Sequence, residues 1–386
     1  MSVRKKRFFY LITIFFTLLF IEFCSFVATF YLWERGVLYH PLYVEPAEYE
    51  GYLNTRDEVL GWPSPSLFCA TSNCWFDMSG SRHIPAFPDP AKYPSCVSLY
   101  GDSFTYGMTA TDEDAWGNIL SKSLNCRVSN YGVGGYGTDQ AYLRFRKNRN
   151  DNSKVVILGY ASENILRNVN RYRQLLYYNG EKGEFALKPR FIINKEGKLE
   201  LIPLPKLSYE EFLKMVNSPE KYLKYEYFLP DGDSGIFKVK FPCTLTLVKA
   251  AIKNFHIRAK IKGIPWYKDF YEIGHPSNAL LVTYNIIHEF YLEAQRLHKR
   301  PLVLIIPTGL DFAYYNKNKK WPYENLLELL EKNKIEFLDA GPKIIEYIKN
   351  RGQLFCARNA HFNAEEQKVL AEIVYEHLTK NGFIER

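Results

Sequence analysis

Three short stretches hold residues whose types could perform nucleophilic chemistry together. Ser103 lies in Tyr100-Gly101-Asp102-Ser103-Phe104-Thr105-Tyr106-Gly107, Gly135 closes Asn130-Tyr131-Gly132-Val133-Gly134-Gly135, and His361 lies in Asn359-Ala360-His361-Phe362-Asn363. A serine hydroxyl is a weak nucleophile at neutral pH, so acyl transfer needs a base beside it and hydrogen-bond donors aimed at the developing oxyanion. His361 is the right type for the base. Gly135 has no side chain to block approach to its N–H, and Ser103 stands where a turn enters a helix whose first N–H groups are still unpaired. Gly-Asp-Ser alone is an ordinary turn tripeptide. What points to chemistry is its conjunction with a glycine turn and a late histidine. Asp102 reads as a helix cap with no proton-transfer role, and Gly132, Gly134 and Gly137 as turn formers. His288 and His298 lie on an amphipathic helix and read as packing residues. The abundant Tyr and Phe read as core.

The elements that must position these residues follow a regular rhythm. SCVSLYGDS is an apolar run ending in a turn, and DEDAWGNILSKSL follows with helical spacing of Trp116, Leu120 and Leu124. CRVSNYGVGG is the next strand and turn, Thr138 caps the helix TDQAYLRFRK, and KVVILGY is a strand apolar enough for burial on both faces. This β-α-β-α-β order predicts a parallel sheet in an α/β fold. Residues from about 172 to 278 read as an insertion that begins with a hairpin turning at Lys195-Glu196-Gly197. A helix from about Ser277 to His298, the strand PLVLIIP, a helix to Lys332, the strand IEFLDA, the helix PKIIEYIKN and a last helix after His361 resume the pattern. Ligands of open parallel sheets sit beyond the carboxyl ends of the strands. Ser103, Gly135 and Ser162 to Asn164 each follow one of the first three strands, so one crevice is expected to gather them.

GDSFTYG, NYGVGG and AHFN, in this order, resemble the first, second and last blocks of the SGNH (GDSL-like) hydrolase superfamily over residues 95–165 and 300–380. The resemblance implies a three-layer α/β/α sandwich like that of flavodoxin. It implies Ser103 as nucleophile, His361 as base, and an oxyanion hole of the Ser103 N–H, Gly135 and a third-block Asn. Two positions depart from the pattern. The third block reads Gly159-Tyr160-Ala161-Ser162-Glu163-Asn164 where the family has Gly-x-Asn-Asp, so either Glu163 takes the Asn position or the loop uses Asn164. The family's Asp two or three residues before its His is replaced by Asn359 and Arg358. The base is then oriented by Asn359, by another group such as Asp339, or works in a Ser-His dyad.

The N-terminus places this domain. Arg4, Lys5, Lys6 and Arg7 precede an apolar stretch from Phe8 to about Trp33, long enough for a bilayer. It ends in the interfacial aromatics Tyr31 and Trp33 with no small-residue cleavage site, which predicts an uncleaved signal anchor. The basic cluster outweighs Arg35, so the rule that positive flanks stay inside puts the N-terminus in the cytoplasm and the rest outside, at a bacterial inner membrane facing the periplasm. Glu22 within the span reads as a carboxyl that is protonated or snorkels, in preference to one that contacts a membrane partner. Residues 1–35 form the tip and anchor, 36–92 a stalk and lead-in, and 93–386 the hydrolase domain. Apart from Cys24, six cysteines remain, which suits an oxidising compartment. Cys69 with Cys74, and Cys96 with Cys126, are candidate pairs.

The net charge of +8 is spread over the 386 residues without a basic block, which argues against nucleic acid as a partner. There is no phosphate-binding loop, dinucleotide glycine pattern or metal-ligand spacing, so no cofactor and no metal are expected. The expected function is an extracytoplasmic serine esterase or O-acyltransferase acting on acyl, above all acetyl, esters of envelope or exported carbohydrate. A lipid esterase and a catalytically inactive binding component of an envelope assembly are the alternatives.

Overall fold

The computed structural model describes residues 3–35, 37–61, 76–176, 186–351 and 361–384. The chain divides into two compact units. One comprises Met1–Glu45, Tyr172–Ala186 and Leu207–Trp266, the other Pro46–Arg171, Leu187–Lys206 and Tyr267–Arg386.

The larger unit is built on a five-stranded parallel sheet of β1 (Ser95–Tyr100), β2 (Arg127–Asn130), β3 (Val155–Ala161), β6 (Arg300–Ile306) and β7 (Phe337–Asp339), in the order β2-β1-β3-β6-β7. Every residue of β3 is buried, as its unbroken apolar run demands. Trp116–Leu124, Ala340–Arg351 and Ala364–Lys380 cover one face of the sheet. Thr138–Lys147 and Ala279–Arg296 cover the other. The result is the expected three-layer α/β/α sandwich. Val97, Leu99, Val155, Ile157, Leu302 and Leu304 fill its core together with Trp116, Leu370 and Val374. The hairpin β4 (Arg190–Ile193) and β5 (Leu199–Ile202) pairs antiparallel around the expected turn. Cys96 and Cys126, at the starts of neighbouring parallel strands, form a disulfide. Cys69 and Cys74 lie outside the described residues.

Counting only the parallel strands in chain order, the sheet runs 2-1-3-4-5. Strand order reverses at β1, with β2 on one side and β3 on the other, the kind of switch point beyond whose strand ends open α/β sheets bind ligands. Two glycines let the first turn close down. A Cβ on Gly101 or on Gly159 would sit 2.0 Å from Thr105 Oγ1, so the side chain of Thr105 occupies the space both glycines leave between β1 and β3. Gly132 likewise lets the second turn approach to where a Cβ would meet the Tyr106 backbone nitrogen at 2.5 Å.

The smaller unit contains the helix Val3–Glu34, which is long and apolar enough to cross a membrane and is a candidate anchor or signal sequence. Glu22 does not snorkel. Its carboxylate accepts hydrogen bonds from the backbone N–H of Cys243, from the N–H of Thr244 at 3.1 Å and from Thr244 Oγ1 at 2.7 Å, at the start of the helix Cys243–Lys253. Its partner stands more than two hundred residues downstream, where no local pattern could reveal it.

Candidate active site

Ser103 opens the helical turn Ser103–Tyr106 directly after β1 and is buried. Asp102 caps that turn, its Oδ1 accepting from Phe104 N at 2.9 Å and Thr105 N at 3.4 Å. The cap fixes where the serine points, because it satisfies the first N–H groups of the turn and leaves the Ser103 side chain at the strand end.

His361 arrives from the opposite end of the chain. Phe362 beside it is fully buried, and its carbonyl accepts from Thr109 Oγ1 and Gln367 Nε2, each at 3.2 Å. Asn363 then starts the last helix through a reciprocal capping box with Glu366. Pinned on that side, the imidazole rests against the Phe104 ring, centroids 4.9 Å apart, and its Nε2 lies 2.8 Å from Ser103 Oγ. With Ser103 as donor, Nε2 is the acceptor and the proton of a neutral imidazole sits on Nδ1.

Burial holds the His361 imidazole below its ordinary value. The negative charges of Asp102 and Glu163 pull it back up, and the Arg167 guanidinium adds to the lowering. Burial dominates, so the ring is unprotonated at neutral pH, the state in which it can accept a proton. Asn359 lies outside the described residues. Asp339 accepts instead from Tyr323 Oη at 3.1 Å and Gly341 N at 2.9 Å. Among the described residues, the charges that act on His361 are those of Asp102, Glu163 and Arg167.

Gly135 sits in the turn after β2 with φ of 78°, the left-handed region where a Cβ is costly, so the backbone needs glycine there. Asn164 follows β3 and is almost fully buried. Arg167 Nη1 donates to Asn164 Oδ1 at 2.9 Å. A guanidinium only donates, so this contact sets which way the amide faces and leaves Nδ2 as its donor end. Glu163 is partly exposed and pairs with Arg167 Nη2. Of the two candidates in the third block, Asn164 is therefore the one that turns inward.

Arg167 is the residue that sequence reasoning missed. Nη1 also reaches Tyr136 O at 3.1 Å and Asp102 Oδ2 at 3.3 Å. One guanidinium thus ties together the loops after β1, β2 and β3. Its own carbonyl accepts from the buried Lys188 Nζ at 2.9 Å, and that ammonium pairs with the fully buried Asp139. The signal was present in the sequence, since Arg167 lies three and four residues beyond Asn164 and Glu163, on the same face of a helical turn. Asp102, buried in this cluster, is raised from the usual Asp value by burial. Arg167 opposes that shift and Glu163 adds to it.

No family model and no curated protein matches the chain. Among solved structures it is similar to a member of the lipolytic protein G-D-S-L family from Veillonella parvula, at 14% identity and a TM-score of 0.34, covering 72% of this chain and 96% of that one. The acetyl xylan esterase AlAXEase matches at 10% identity and a TM-score of 0.36, covering 73% and 99%. The acetyl xylan esterase Est2A from the rumen bacterium Butyrivibrio proteoclasticus matches at 11% identity and a TM-score of 0.31, covering 76% and 65%.

Proposed function

We propose that the chain is a membrane-anchored serine esterase or O-acyltransferase of the SGNH type, working outside the cytoplasm on acyl esters of envelope or exported carbohydrate. The observation that carries this reading is the 2.8 Å contact of His361 Nε2 with Ser103 Oγ at the strand ends of the parallel sheet. Such a pair is the minimum an activated serine requires.

In the first half-reaction Ser103 Oγ attacks the ester carbonyl carbon while its proton passes to His361 Nε2. The tetrahedral intermediate collapses with cleavage of the bond to the alcohol oxygen, which leaves with the proton from His361. In the second, water or a carbohydrate hydroxyl gives its proton to His361 and attacks the acyl-serine. Breaking of the Ser103 ester bond then returns that proton to Oγ. The Ser103 and Gly135 N–H groups and Asn164 Nδ2 are the donors for the oxyanion. The imidazolium formed in each half-reaction is favoured by the negative charges of Asp102 and Glu163. The Cys96–Cys126 disulfide supports an oxidising location, and the basic residues before the helix Val3–Glu34 support an anchor with its N-terminus inside. The carbohydrate ester class follows from the sequence resemblance.

Fluorophosphonate labelling tests the reading. Wild type is expected to take up one adduct by intact mass, and Ser103→Ala and His361→Ala none. An unlabelled wild type with a cooperative unfolding transition would overturn it.

A further inference from the structure

Glu22 lies 15 residues beyond Arg7 and 12 before Glu34 in a continuous helix, or about 22 Å and about 18 Å along its axis. A bilayer's hydrocarbon core is about 30 Å thick. If the basic cluster ending at Arg7 marks the inner boundary, the carboxylate of Glu22 lies within the outer half of the core. The first N–H groups of the helix Cys243–Lys253 are bonded to that carboxylate, and Thr244 Oγ1, which donates to it as well, lies 2.8 Å from Ser25 Oγ. That helix therefore begins at the same depth.

It then climbs beside the anchor. Ala250 packs with Leu38 and Phe237 against Leu32 and Trp33, at the outer end of the N-terminal helix. The preceding strand-like stretch descends from the same level, since Phe237 O accepts from Tyr39 N at 2.8 Å. The face turned away from the anchor is apolar. Phe241 at the tip is 83% exposed, and Leu245, Val248 and Ile252, spaced three and four residues apart along the helix, are 50%, 48% and 65% exposed. A stripe this apolar is disfavoured in water. Lys249 and Lys253 are exposed near the upper end of the helix, where long side chains reach phosphate headgroups.

We propose that residues 237–253 form a re-entrant hairpin that dips into the outer leaflet beside the anchor, with lipid acyl chains covering Phe241, Leu245, Val248 and Ile252. This rests on the reading of Val3–Glu34 as a membrane anchor. It gives Glu22 a physical role: water is scarce at that depth, so the first N–H groups of a helix must find protein acceptors, and Glu22 supplies them.

The test is photocrosslinking of the full chain in vesicles of phosphatidylethanolamine and phosphatidylglycerol. Benzoylphenylalanine is placed singly at Phe16, Phe241, Val248, Ile252 or Glu210. Glu210 is an exposed control on the helix Tyr209–Asn217, which is tied to Val44, ten residues past the anchor. Phospholipid adducts are expected at Phe241, Val248 and Ile252 in yields comparable with Phe16, and none at Glu210. Adducts at Phe16 without any in the hairpin would overturn the insertion and leave the anchor standing. Hairpin adducts to a second copy of the chain instead of lipid would overturn it in favour of a protein interface. Absence of lipid at Phe16 would remove the anchor reading and this inference with it.

Discussion

Replacing Arg167 by Met removes the guanidinium while keeping most of the stem, so it isolates the tie between the three strand-end loops. Four acceptors lose their donor: Asp102 Oδ2, Tyr136 O, Asn164 Oδ1 and the Glu163 carboxylate. Removing one partner of a buried ion pair costs about 3–5 kcal/mol, because the other charge is left without compensation. Asp102 is fully buried and already raised by that burial, so without Arg167 it moves further up and takes a proton. The sign follows from that proton. An Asp whose folded value lies above the unfolded one loses stability as pH rises through the folded value, and the variant's folded value is the higher of the two. The deficit of Arg167→Met relative to wild type is therefore smallest in acid and grows toward neutral pH.

The same substitution frees Asn164 and the turn holding Gly135. Loss of one oxyanion donor costs about 10²- to 10³-fold in rate, so fluorophosphonate labelling is expected to slow by up to about that factor. Arg167→Lys restores a positive charge but offers a point charge where a planar fork reached several loops. It should recover much of the stability and little of the labelling rate. Urea unfolding of the full chain in detergent, run across the acid range beside labelling kinetics, measures both. A methionine variant with the wild-type urea midpoint and labelling rate would refute the account of Arg167 as the tie.

Gly159→Ala drives a methyl to 2.0 Å from Thr105 Oγ1 and should destabilise by about 1–3 kcal/mol. Adding Thr105→Ala should recover most of that loss in a urea titration, since the contacts crowding the new Cβ are atoms of Thr105. Asp311 is raised from 3.8 to about 6 by burial, against the bonds it accepts from Ser162, Thr308 and Tyr267. Its contribution to stability is present below 3.8 and lost as pH rises through about 6, so Asp311→Asn should gain on wild type by about 3 kcal/mol across that window. A constant difference between the two urea midpoints would refute it. Breaking the Cys96–Cys126 bridge, which spans 30 residues, by Cys96→Ser with Cys126→Ser should cost about 3–4 kcal/mol by loop-closure entropy, read as a lowered urea midpoint.

What the sequence disclosed, and what it hid, divides along a physical line. The strands were legible because burial on both faces leaves a run such as Val155–Ala161 with little polar interruption. Ser103, Gly135 and His361 are each ordinary alone and stood out by their conjunction, a serine turn, a glycine turn and a late histidine. The spacing of Arg167 from Glu163 and Asn164 was visible, but the rest of the buried ion network was not, because the other acceptors of Arg167 come from the loops after β1 and β2. Glu22 was hidden for the same reason at longer range. Glu163 and Asn164 are one step of helical rotation apart, which composition cannot tell apart; both accept from Arg167, but Asn164 is almost fully buried and Glu163 is partly exposed.

The missing acid before the histidine belongs to the same class. A search of the residues just ahead of His361 finds Arg358 and Asn359, yet a carboxylate need not be near in sequence to act on an imidazole. Among the described residues, Asp102, next to Ser103 and 259 positions from His361, is the charge that raises His361 most, with Glu163 after it. The carboxylate that caps the serine's turn thereby also biases the ring toward its protonated form, in competition with burial and with Arg167. Asp102 thus couples the placement of Ser103 to the basicity of His361, and Arg167, which holds that carboxylate, is where the coupling is most open to test.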